Sequence, residues 1–141
     1  MNSVLLQIAT KYLKWILVVF ALIALFRGHN HPGGGFIGGL LIGLSVVFQS
    51  LTSNAQSAKD KLKIQPEGYI SLGLLFILIS TLPGLFLKDT FMTGVWFSIP
   101  FPLLGELKIG TPFVFDIGVF LAVIGVTLLF FFTFNKVAKW K

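Results

Sequence analysis

Four long apolar stretches, separated by short polar or irregular ones, make up most of this chain. They run from Ile8 to Phe26, from about Gly35 to Leu51, from about Gly68 to Leu87 and from about Pro112 to Asn135. A bilayer core about 30 Å thick is crossed by about 20 apolar residues in a helix. The pattern therefore predicts an all-α integral membrane protein, with residues 1–141 forming one domain of four transmembrane helices. Lys11 and Lys14 stand where they can snorkel to headgroups, and Tyr12 and Trp15 suit the aromatic belt. Those lysines and the charge-free run Trp15 to Phe26 resemble a secretory signal, but no small-x-small cleavage pattern follows, so the first helix is read as retained. Pro83, late in the third stretch, predicts a kink there.

The connections differ in character. Thr52 to Glu67 is polar and lysine-bearing. Lys88 to Thr111 is a long apolar loop carrying Trp96, Phe97, Phe101, Leu103 and Leu104, punctuated by Pro100, Pro102 and Gly105. Its prolines argue against a helix. It reads as an irregular or hairpin-like segment lying on the membrane surface or against a partner.

Composition agrees with the pattern: 55% of residues are hydrophobic and 11% charged, where soluble domains carry about 25% charged. With no cysteine, disulfides, thiolate metal sites and cysteine nucleophiles are excluded. The net charge of +6 does not point to nucleic acid, because the basic residues sit at the ends of apolar runs. Four spans gather Lys11, Lys14, Lys59, Lys61, Lys63, Lys136, Lys139 and Lys141 on one side, and Arg27, Lys88 and Lys108 on the other. The positive-inside rule then sets both termini in the cytoplasm and turns the first and third loops outward.

The densest chemistry lies between the first two stretches, where Arg27, Gly28, His29, Asn30, His31, Pro32, Gly33, Gly34 and Gly35 follow in sequence. Gly33, Gly35 and Gly38 match a dinucleotide fingerprint literally, but a membrane helix precedes them rather than a strand, so nucleotide binding is rejected. Gly35, Gly39 and Gly43 recur every four residues and share one helix face, with Gly34 and Gly38 forming a neighbouring row. Such faces let helix backbones approach closely. His29 and His31 either cap the turn at headgroup level or handle protons. Asp116 is the only acid inside a predicted span. It either pairs structurally with Arg27 or caps its helix, or it serves a cation or proton path together with His29. No catalytic triad, metal cluster or cofactor motif emerges.

Gly28-His29-Asn30-x-Pro32-Gly33-Gly34-Gly35-Phe36-Ile37-Gly38-Gly39-Leu40 resembles the signature of the B subunit of Mrp-type (also called Mnh) multisubunit sodium/proton antiporters. So does Gly110-Thr111-Pro112-Phe113-Val114-Phe115-Asp116-Ile117-Gly118-Val119, and size and span number match over nearly the whole chain. In the second motif Phe113 and Val114 stand where leucines are common. The resemblance implies a subunit of a complex that exchanges cytoplasmic sodium for external protons, partnered by large subunits similar to the pumping subunits of complex I. The motif residues carried over are Gly28, His29, Asn30, Pro32, Gly33, Gly34, Gly35, Phe36, Gly38, Gly39 and Asp116. Two readings stay open: a lining of the ion pathway, or a structural subunit whose glycine face and apolar loop join larger subunits. A scaffold of a membrane-bound hydrogenase or another complex I-like assembly is the alternative setting.

Overall fold

In a computed structural model, describing residues 4–28, 34–52, 55–88, 93–101 and 105–138, the apolar stretches are helices: α1 (Val4–Arg27), α2 (Gly34–Thr52), α4 (Pro66–Lys88) and α5 (Thr111–Ala138). Three of them, α1, α4 and α5, are long and apolar enough to cross a membrane, and α2 is a shorter apolar helix. The termini follow local chemistry. Pro66 opens α4, where its missing N–H costs nothing, and Glu67 in the first turn suits the helix dipole. The Gln65 carbonyl accepts from the Gly68 and Tyr69 amides at 2.9 and 3.3 Å. Arg27 ends α1 where a cation is favoured. α4 continues as one element through Pro83.

Two segments add to the four predicted helices, and the second departs from the all-α expectation. The polar connection holds a short helix, α3 (Ala55–Asp60). The long apolar loop is an antiparallel hairpin of β1 (Trp96–Phe101) and β2 (Gly105–Gly110), paired in register from Trp96 with Gly110 to Phe101 with Gly105. A two-stranded ribbon has only edge strands, so Pro100 is tolerated inside β1. The ribbon is tied to the last helix by Thr111. Its amide donates to the Val95 carbonyl at 3.0 Å, and its Oγ1 accepts from the Val95 amide at 3.1 Å.

The helices stand in the order α1, α2, α5, α4, each packed on the next. One end gathers the start of α1 and the end of α2, where Thr10 Oγ1 meets Thr52 Oγ1 at 3.4 Å. The other gathers the end of α1 and the start of α5, where Phe26 stacks on Phe113 with centroids 6.1 Å apart. The core is small: Leu128, Ile124, Phe132 and Ala58, flanked by Ile42, Val46, Leu62 and Tyr69. In the apolar windows of α1, α4 and α5, 17, 22 and 22% of residues are buried within the chain, so most of their surface must be covered by something else.

Candidate functional site

The two glycine rows on α2 serve different neighbours. They are offset by one residue, which is about 100° around a helix. The row Gly35, Gly39, Gly43 faces α5. A Cβ built at Gly39 would lie 2.7 Å from the Phe120 carbonyl oxygen and 2.8 Å from Val123 Cβ, and one at Gly43 would lie 2.5 Å from Thr127 Cγ2. At Gly35 it would overlap the Asp116 carbonyl. The row Gly34, Gly38 faces α1, where a Cβ would lie 2.6 Å from the Ala24 oxygen and 2.8 Å from the Ala21 oxygen respectively. Backbone thus meets backbone on both sides of α2, and both rows are filled by helices of this same chain.

Asp116 sits where these seams converge. It lies in the second turn of α5, half-buried, with its backbone against Gly35. Its Oδ2 stands 3.1 Å from where a Cβ would be at Gly28, the residue that closes α1 through a 3.2 Å bond from its amide to the Leu25 carbonyl. Gly28 and Gly34 are so close that neither has room for a side chain toward the other. The end of α1, the start of α2 and a carboxylate are therefore brought to one point.

Arg27, by contrast, is exposed, and with Phe20, Ile23, Gly28, Ile37 and Leu41 it lines a shallow groove of about 650 Å³ along the outer side of α1 and α2. Phe36 is 53% exposed on α2. His29, Asn30, His31, Pro32 and Gly33 lie outside the described residues. Among the described residues no group of three His, Cys, Asp or Glu side chains could hold a metal ion.

A second seam escaped the reading of the sequence. α4 and α5 meet through Gly73, Gly118 and Gly125. A Cβ at Gly73 would lie 2.5 Å from the Ala122 amide nitrogen, and one at Gly125 would lie 2.6 Å from the Pro66 oxygen. The available signal was the seven-residue spacing of Gly118 and Gly125, two turns apart on one face. A polar clasp between α1 and α2 was also missed. Lys14 Nζ donates to Gln49 Oε1 at 2.9 Å, one turn from the buried Thr10. Both of its pairs, Thr10 with Lys14 and Gln49 with Thr52, lie at helical neighbour spacings.

A family described as a domain related to the MnhB subunit of Na+/H+ antiporter matches residues 5–129. The B-type subunit of the Na(+)/H(+) antiporter of Alkalihalophilus pseudofirmus is 34% identical over 132 residues, covering 94% of this chain and 92% of its own. Its namesake from Bacillus subtilis is 32% identical over 127 residues, covering 90% and 89%. Among solved structures, the Mrp complex from Dietzia sp. DQ12-45-1b superposes with a TM-score of 0.73 at 29% identity, over 89% of this chain and 13% of a much longer one.

Proposed function

Because this chain belongs to the family of the MnhB subunit of Na+/H+ antiporters, we propose that it is a membrane subunit of a multisubunit antiporter that exchanges cytoplasmic sodium for external protons. The names of its relatives favour this over a hydrogenase or other complex I-like scaffold. Its work is transport rather than catalysis. All four apolar helices span: α2, with 19 residues, is about 28 Å long at 1.5 Å per residue, close to the bilayer core of about 30 Å. The lysine-rich end, holding the start of α1, α3 and the end of α5, faces the cytoplasm, and the hairpin faces outward. The thin cover that the chain gives its own helices leaves broad surface for lipid and for the large complex I-like subunits.

Within that frame Asp116 contacts the transported proton or cation near the outward side. The observation that carries this reading is the carboxylate at the junction of α1, α2 and α5, beside the Gly28 turn. An intramembrane carboxylate is costly and typically marks an ion path. Because the glycine rows are consumed inside the chain, they leave the joining of larger subunits to its other surfaces. The test is Asp116→Asn in the assembled complex, assayed as sodium-dependent proton movement in everted vesicles across a range of pH. Assembly should persist while exchange falls or its pH profile moves. Unchanged exchange at every pH would refute the ion role. Loss of assembly, partly restored by adding Arg27→Gln, would instead make Asp116 half of a structural pair.

A further inference from the structure

At the lysine-rich end an open cavity of about 570 Å³ lies between α3, the start of α4 and the end of α5. Its lining is divided in kind. Lys59, Lys136 and Asn135 offer cations and an amide, whereas Leu129 and Val137 offer hydrocarbon. One carboxylate, Glu67, also lines it, leaving two cations to one anion. The apolar part continues along α5: Val126, Phe130 and Val137 are 54, 65 and 64% exposed, and their spacing sets them on one stripe. A cationic, hydrogen-bonding mouth at the foot of an exposed apolar stripe has the two-part chemistry of a phospholipid. Basic pockets at this depth suit anionic headgroups.

We propose that this cavity holds the phosphodiester of an anionic phospholipid with a hydroxylated headgroup, phosphatidylglycerol being the simplest, with its acyl chains along the Val126, Phe130 and Val137 stripe. The phosphate lies toward Lys59 and Lys136. Glu67 accepts from the headgroup hydroxyls, which is why one acid belongs in a site for an anion. A choline headgroup would bring a third cation to the two lysines and offer Glu67 no donor. The assignment rests on α5 spanning the membrane and goes beyond the transport reading.

The test uses the assembled complex in nanodiscs containing photoactivatable phosphatidylglycerol, with labelled peptides mapped by mass spectrometry. Label should fall between residues 126 and 137 and be displaced by unlabelled phosphatidylglycerol, but not by phosphatidylcholine or inorganic phosphate. Lys59→Gln with Lys136→Gln should weaken competition about thirtyfold, two basic residues each acting at their usual strength near a membrane surface. Lys59→Arg with Lys136→Arg should keep it. Should the double glutamine variant not assemble, Glu67→Gln is the readout, and it should shift preference toward phosphatidic acid. Equal displacement by phosphatidylcholine would make the cavity a plain apolar groove, and equal displacement by phosphate would make it a free-anion site. Either result overturns the proposal, as does labelling indifferent to every substitution. Labelling of Ser57→Cys and Gly105→Cys separately checks the spanning reading, so the two failures are told apart.

Discussion

Lengthening the side chain at residue 39 one carbon at a time should separate α2 from α5 in steps. A methyl at Gly39 meets a carbonyl oxygen at 2.7 Å and a branched Cβ at 2.8 Å. Neither neighbour can turn aside, since one is backbone and the other sits at the root of its side chain. Alanine normally gains about 1 kcal/mol over glycine inside a helix. Overpacking of this kind costs about 1–3 kcal/mol, so Gly39→Ala should come out destabilising by about 1 kcal/mol. Gly39→Leu, with three further carbons and no space for the first, belongs at or above the upper end. About 3 kcal/mol corresponds to more than a hundredfold in the equilibrium that packs α2 on α5, and a chain that does not pack is lost to the complex. Gly68→Ala is the milder comparison: its new methyl meets no backbone, only the Ile64 Cγ2 branch at 2.5 Å, on a side chain that is 38% exposed and must rotate to give way. It should cost less than Gly39→Ala. The assay is the fraction of tagged chain migrating with the intact complex on native gels, with thermal stability of the purified complex as a second measure. Gly39→Leu assembling fully, or Gly68→Ala failing as badly as Gly39→Ala, would refute the reasoning.

Three other outcomes follow. A membrane-impermeant maleimide applied from outside should label Gly105→Cys and leave Ser57→Cys unlabelled, and the reverse would invert the topology. The chain expressed alone in antiporter-deficient cells should give no sodium-dependent proton movement in everted vesicles, because most of its helical surface awaits partners; strong exchange would end the subunit reading. Thr111→Val removes the acceptor for the Val95 amide in a largely buried place, a loss of about 1–3 kcal/mol. It should raise amide exchange at residues 95 and 96 while leaving exchange in the middle of α5 unchanged.

The helices were legible because apolar runs of this length have few other uses. The hairpin was legible only as an alternative. Pro100 and Pro102 exclude a helix, but the pairing of Trp96 with Gly110 is a tertiary fact that no local pattern encodes. α3 is six residues long, too short for its period to register in a polar stretch. The four-residue recurrence of Gly35, Gly39 and Gly43 puts them on one face without naming the helix they meet. Gly73 was invisible for a related reason: its counterparts Gly118 and Gly125 lie on another helix, and none of the three belongs to a four-residue repeat. Asp116 stood out as an acid among apolar residues, but its nearness to Gly28 depends on how three helices converge.

The position of α5 in the row limits how the carboxylate can move. Asp116, Phe120, Val123 and Thr127 face α2 on one side, while Gly118, Ala122 and Gly125 face α4 on the other, and on both sides the contact reaches backbone. A helix held on opposite faces cannot roll about its axis without driving side chains into main chain twice over. α5 is in effect a fixed post. α1 is attached differently: it joins the row at its edge, through α2, and reaches α5 where Phe26 stacks on Phe113. The backbone that carries Asp116 is thus clamped on two faces, and the neighbour held on fewest sides beside it is the end of α1 with its Gly28 turn.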